Sequence, residues 1–222
     1  MLDEQTRRIL ELARDEAEAF GHRYLGPEHV VLGMLRDPTG GAARLLRARG
    51  VDLDAARAAL RRLAEQGIVP APRPSDAELL GMLGIDLETV RRNAEQAFGA
   101  VALGRAIREA TRARRGGVGR VPRTPLRGPP VFTVQALYHA GEHAKAKGRG
   151  QVNAELLLLG VVTDARSPWP RCMSNRWNRQ LRTSVGLPAG YQGAAGPLLV
   201  ALGVDLDELG DAVALELAGA ER

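Results

Sequence analysis

Lysine is almost absent from this 222-residue chain: Lys145 and Lys147 are the only two among its 31 basic residues. A phosphate-binding loop of the form G-x-x-x-x-G-K-[ST] needs a lysine to reach the terminal phosphates and a hydroxyl beside it to hold magnesium. Neither lysine follows Gly or precedes Ser or Thr, so an ATPase of that design is excluded. The shortage, set beside the many Ala and Gly, reads as the mark of a GC-rich genome. Cysteine is reduced to Cys172, which has no partner for an internal disulfide and no second Cys for a zinc knuckle. Long apolar runs are missing as well. Nothing approaches the roughly 18 consecutive apolar residues of a membrane span, and Met1 leads straight into charged, amphipathic sequence without a secretory pattern. The expectation is a cytoplasmic protein with no membrane partner, and its 45% apolar residues suffice for one or two cores.

What is present is a pattern used three times. Leu45-Leu46-Arg47-Ala48-Arg49-Gly50-Val51-Asp52-Leu53-Asp54 returns as Leu79-Leu80-Gly81-Met82-Leu83-Gly84-Ile85-Asp86-Leu87-Glu88 and as Leu198-Leu199-Val200-Ala201-Leu202-Gly203-Val204-Asp205-Leu206-Asp207. Each copy reads as the end of one helix and the start of the next. Gly takes the left-handed turn, the following Val or Ile tucks back onto the leucines, and Asp caps the second helix. Asp54, Glu88, Asp207 and Glu208 then place negative charge at the positive end of the helix dipole.

Around these corners the chain organises itself. From Leu2 to Phe20 apolar positions recur at helical steps; Pro27 opens a second helix to about Leu35; helices over Ala42 to Arg49 and Leu53 to Gln66 complete a four-helix unit, residues 1–66. Pro70, Pro72 and Pro74 make an extended linker, and Asp76 to Phe98 repeats only the last two helices, so that 67–103 is a linker with a helical half-repeat. Between Gly104 and Gly128 eight arginines stand against the single acid Glu109, a local charge of +7 in a chain of net +5, so the remainder is close to −2. This 104–128 segment reads as a solvated tether held extended by its own repulsion. A second unit, 129–222, parallels the first, with an inserted loop over 163–196 carrying Trp169, Trp177 and Tyr191, expected to be partly ordered by its tryptophans. The predicted fold is all-α: two pseudo-repeated four-helix bundles with an extra half-repeat and an Arg-rich linker between them.

His22-Arg23-Tyr24-Leu25-Gly26-Pro27-Glu28-His29-Val30-Val31-Leu32-Gly33-Met34-Leu35 resembles the signature H-x-Y-x-G-x-E-H-x-L-L-G-L-L of the Clp repeat N-terminal domain. The chain is similar to the double domain that ClpA and ClpC unfoldases carry ahead of their ATPase rings, in its actinobacterial form. In the second copy Glu155 matches the signature Glu, while Leu156, Gln151 and Arg149 replace its His, Tyr and leading His. The resemblance implies a non-enzymatic module that receives adaptors and substrates, binds phosphoarginine-tagged protein, or docks cyclic peptide antibiotics. It also implies that the signature Glu takes the guanidinium and the start of the repeat's first helix takes the phosphate. The implied ligand-binding residues are Leu2, Asp3, Glu28, His29, Phe132, Thr133 and Glu155, with no cofactor and no metal. The family's Phe-Thr at that helix start is Leu2-Asp3 in the first copy, where Asp3 sets a like charge beside a phosphate. In the second copy Phe132-Thr133 keeps the dipeptide, about three residues out of register when counted from the Gly148 turn.

Each candidate has a plainer reading. Glu28 is either a guanidinium anchor or a satisfied acid in the first turn of its own helix. His22 and His29 are expected to hydrogen-bond loop backbone. His139-Ala140-Gly141-Glu142-His143 matches the H-x-x-E-H zinc-protease pattern, but five residues without a third ligand make a weak motif. The arginine run suits sequence-independent nucleic-acid binding, although no aromatic residue interleaves it to stack on bases. The expected partners are protein or peptide ligands, among them a Clp unfoldase, its adaptors or its substrates, ahead of nucleic acid.

Overall fold

A computed structural model of the chain describes residues 1–22, 24–70, 81–105, 133–166, 187, 191 and 193–219. Among these the secondary structure is helical. The first unit holds α1 (Glu4–Ala19), α2 (Pro27–Arg36), α3 (Gly41–Arg47) and α4 (Leu53–Glu65); α5 (Leu87–Phe98) follows; the second unit holds α6 (Thr133–Ala146), α7 (Ala154–Arg166), α8 (Ala195–Ala201) and α9 (Leu206–Gly219). The expected four helices per repeat are therefore present in both. Helix α7 runs through Arg166 and α8 begins at Ala195, so both ends of the expected 163–196 insertion belong to helices.

The three corners share one geometry. Gly50, Gly84 and Gly203 have φ of 76°, 76° and 77°, the left-handed region that costs glycine nothing. The Val51 amide returns to the Leu46 carbonyl at 3.2 Å, and that of Val204 to Leu199 at 3.0 Å, closing each helix as a Schellman turn does. Asp52 accepts the Ala55 amide at 2.8 Å, Asp86 those of Glu88 at 3.0 Å and Thr89 at 3.3 Å, and Asp205 those of Asp207 at 2.8 Å and Glu208 at 3.0 Å. Each helix thus satisfies amides that have no partner within it.

The described chain divides into two compact units, one within Met1–Pro72 and Leu126–Arg222, the other within Arg73–Pro125. In the larger unit the two repeats bury one shared core, in which Ile9, Leu32, Leu46 and Leu60 join Leu156, Leu157, Leu198 and Leu209. Packing across the repeats is reciprocal. Helix α2 meets α6, α7 and α8 while α7 meets α1, α2 and α3, and α3 meets α9 while α8 meets α4. Within each repeat, helix 2 lies so close on helix 1 that only glycine fits. A Cβ on Gly33 would stand 2.5 Å from the Ile9 carbonyl and 2.9 Å from the Ala13 Cβ. One on Gly160 would meet the Ala136 carbonyl and come within 2.9 Å of the Ala140 Cβ. Gly33 and Gly160, Ala13 and Ala140, and Glu28 and Glu155 share a constant offset of 127 residues.

In the smaller unit, helical turns at residues 81–82 and 100–105 flank α5, and Gly99 at φ 78° ends that helix. Of the two helices expected over Asp76 to Phe98, the corner and the second helix are described, and residues 76–80 of the first lie outside the described residues. The Arg-rich run from Ile107 onward, with Trp169, Cys172 and Trp177, lies outside the described residues.

Candidate ligand-binding site at the repeat openings

The same offset carries Thr6 to Thr133, and the two threonines exchange places across the repeats. Thr6 donates its hydroxyl to the Val152 carbonyl at 3.0 Å, and Thr133 donates to the Leu25 carbonyl at 2.7 Å; both side chains are buried. Leu25 and Val152 are themselves 127 residues apart, each three residues ahead of a signature Glu. Consequently the first-helix start beside each Glu belongs to the other repeat, and each opening is composite. The N-terminal residues complete one of them. The Asp3 amide donates to the Val152 carbonyl at 3.1 Å and the Val152 amide to the Met1 carbonyl at 2.9 Å, so half-buried Leu2 lies alongside Val152. Asp3 caps α1 by accepting the Thr6 amide at 2.7 Å. Thr133, and not Asp3, occupies the place equivalent to Thr6, which gives the three-residue register difference its structural form. Phe132 lies outside the described residues.

Glu28 is 0% exposed, and its carboxylate is taken by the other repeat. Tyr191 donates its hydroxyl to Oε1 at 2.8 Å and the Ala194 amide donates to Oε2 at 2.9 Å. The Tyr24 and Tyr191 hydroxyls lie 3.1 Å apart, a hydrogen bond that joins both rings to the same carboxylate cluster. Burial, then the charge of Glu28, pushes both phenols above their ordinary range. Glu155 does the corresponding thing on its side. A Cβ on Gly41 would run into its carboxylate, so the acid rests against the start of α3 in the first repeat. Ala194 and Gly41 both stand at the start of a third helix, where unpaired amides and the dipole favour a carboxylate. Each signature Glu thus reaches across to the other repeat's third helix. Glu155 remains half-exposed, whereas Glu28 is closed over by Tyr191.

Beside Glu28 the signature histidines form a chain whose proton positions are determined. The Gly26 amide donates to His29 Nδ1 at 3.0 Å, so His29 carries its proton on Nε2 and donates it to His22 Nδ1 at 2.8 Å; His22 Nε2–H then donates to the Pro70 carbonyl at 3.1 Å. Both rings are neutral. Burial, then the His29 charge, lowers His22 to about 4, and burial lowers His29 to about 3. The sequence expectation of histidines bonded to loop backbone is met at Gly26 and Pro70, with the mutual bond added. In the second repeat Arg149 stands where His22 does and donates to the Leu217 carbonyl at 3.1 Å, again joining the loop after helix 1 to the end of helix 4. Burial, then the charge of Glu28, raises Asp164 to about 7.

The H-x-x-E-H histidines have a place in the same scheme. His143 is equivalent to Glu16, which is 2% exposed and binds Arg57 through two bonds, at 2.6 and 2.9 Å, with Arg36 at 3.4 Å. His143 instead meets Thr163 Oγ1 at 3.0 Å; because that hydroxyl donates to the Leu159 carbonyl at 2.8 Å, His143 Nε2 is the donor. That leaves Nδ1 as the ring nitrogen of His143 with a lone pair. Among the described residues no group of three His, Cys, Asp or Glu is placed to hold a metal ion, and no helix is long and apolar enough to cross a membrane.

The sequence singles out Glu28, Glu155, the histidines and Tyr191, but nothing in it joins Tyr191 or Ala194 to Glu28, or Glu16 to Arg36 and Arg57. The class that this geometry defines is an all-α double repeat with reciprocal openings. Comparison with known proteins points the same way: residues 1–76 match the family model described as the Clp repeat (R) N-terminal domain. The chain is 45% identical over 53 residues to the "Negative regulator of genetic competence ClpC/MecB" of Bacillus subtilis, a stretch covering 24% of this chain and 6% of that protein. It is likewise 45% identical over 53 residues to the "Chaperone protein ClpB" of Oceanobacillus iheyensis, covering 24% and 7%. The chain therefore spans only a small part of these relatives. Across nearly its whole length it has the fold of the N-terminal domain of the Clp protease-associated chaperone ClpD from Arabidopsis thaliana, with a TM-score of 0.53 at 15% identity over 98% of this chain and 94% of that one.

Proposed function

We propose that the protein is a non-catalytic recognition module of a Clp proteolytic system, binding polypeptides at its repeat openings and acting as adaptor or decoy for a separate Clp unfoldase. The observation that carries this reading is the Clp repeat match over residues 1–76. The composite openings support it, since half-exposed Leu2, Asp3 and Glu155 gather beside Val152 at the opening that Tyr191 does not close. Leu2 offers an apolar anchor and Glu155 a carboxylate for a guanidinium, the chemistry a substrate segment, an adaptor, a modified arginine or a peptide antibiotic would meet. At the first opening the same guanidinium chemistry requires Tyr191 to leave Glu28.

The test is capture from an extract of the source cells on immobilised full-length chain, comparing wild type with Glu155→Ala and Leu2→Asp. Enrichment of a Clp ATPase, its adaptors or its clients, reduced by either variant, is the expected result; a captured set identical for all three chains overturns the assignment of this opening. Titration with phosphoarginine itself, followed by backbone amide NMR, addresses the narrower reading. Shifts should centre on Val152 to Glu155, and unperturbed spectra remove phosphoarginine from the ligand set.

A further inference from the structure

We infer that the half-repeat is a self-association surface through which two copies of this chain pair corner to corner. Its corner has the Gly84 turn and Asp86 cap of the other two, yet its apolar residues are uncovered. Val51 and Val204 are 0% and 4% exposed, and the equivalent Ile85 is 40%; Ala56 and Leu209 are 0%, and Val90 is 50%; Leu217 is 1%, and Phe98 is 72%. Met82 and Leu83, in the turn itself, are three-quarters exposed. Val90, half-buried Ala94 and Phe98 recur at helical steps and make one stripe along α5. A stripe of this kind, adjoining an apolar turn, marks an interaction surface.

The chain itself shows what covers such a corner. In the larger unit the two complete corners pack on each other reciprocally, α3 on α9 and α8 on α4. At their rims Arg44 pairs with Glu216, and Arg49 donates to the Glu208 backbone carbonyl at 3.3 Å. Reciprocity, with element A on B and B on A, is what an isologous interface between identical chains requires. The third corner is a single copy within the chain, so a like corner for it to meet is supplied by a second molecule. Along α5 itself Glu88 and Glu95 balance Arg91 and Arg92, so the helix that carries the stripe has no net charge to set against a copy of itself. Leu83 stands where one complete corner carries Arg49 and the other Leu202; three-quarters exposed, it adds apolar area to the contact.

The experiment is sedimentation velocity on the full-length chain over a concentration series, with the Val90→Asp/Phe98→Asp double variant alongside. The wild type should move from 23.8 kDa toward twice that mass as concentration rises. The variant should stay monomeric with an unchanged thermal melt, because both side chains are exposed. A wild type that remains monomeric throughout overturns the inference, including when a different protein is found to bind α5. A double variant that dimerises as well as wild type overturns it too, by placing the interface elsewhere.

Discussion

Acidification should destabilise the larger unit through the His22–His29 chain, over a pH window set by the two rings. Protonating His22 puts a hydrogen on Nδ1, directly against the Nε2–H of His29 at 2.8 Å, and protonating His29 sets its Nδ1 against the Gly26 amide. Both native values lie below the ordinary 6.5, at about 4 and about 3, so between 6.5 and about 4 the unfolded chain holds two protons that the native chain refuses. Stability supplied by neutral rings is complete above 6.5 and is lost as pH falls through the window, at about 1.4 kcal/mol per pH unit for each proton. Asp164 works in the opposite direction. Raised from 3.8 to about 7, it keeps a proton in the native state that the unfolded chain has released, and so offsets one of the two histidines. The net of one proton over two and a half units predicts a loss of about 3 kcal/mol. Urea unfolding followed by circular dichroism at steps from neutral pH to about 4.5 measures it, with His22→Gln/His29→Gln as the comparison. His139 and His143, also lowered by burial, add the same slope to both proteins and cancel in the difference. Removing the pair should leave Asp164 opposing the remaining groups and flatten or reverse the profile. Parallel profiles for wild type and variant would refute the proton assignment.

Gly33→Ala and Gly160→Ala should each lower stability by about 1–3 kcal/mol, since the new methyl has backbone of helix 1 in its way; calorimetric melting checks both. Gly50→Ala has nothing within 4 Å to strike and should cost about 1 kcal/mol from its φ of 76° alone, a smaller shift in the same melt. Tyr191→Phe removes the donor to buried Glu28 and should cost about 1–3 kcal/mol, and Glu28→Gln added to it should cost less than it does in the wild type. Glu16→Ala strands Arg57 and Arg36 and should cost about 1–3 kcal/mol, with high salt reducing the difference only slightly because the carboxylate is buried.

Local features were the legible ones. A Gly-Val-Asp corner is decided within five residues by one φ angle, one returning amide and one cap, and so all three corners, together with the half-repeat, could be read from the chain. The signature around Glu28 likewise located the histidines. What joins residues far apart in sequence left no local trace. Tyr191 and Glu28 are 163 positions apart, and Thr6 and Val152 are 146 apart. Tyr191 was noticed as one aromatic in a long loop without anything to say what it would meet. The reach of each Glu into the other repeat was hidden for the same reason, because within its own helix Glu28 has the look of an ordinary first-turn acid. His143 was misleading in a different way. Its motif spacing suggested a metal, while the helix–helix position it shares with Glu16 is visible only once the repeats are superimposed.

The exchange of threonines between the openings ties the history of the two halves together. A duplicated unit whose copies each finish the other's doorway cannot shed one copy and keep a working remainder, nor let one diverge at Leu25 or Val152 without the sibling registering it. The residues between Pro70 and Thr133 supply no partner to that exchange, and the third corner is found among them.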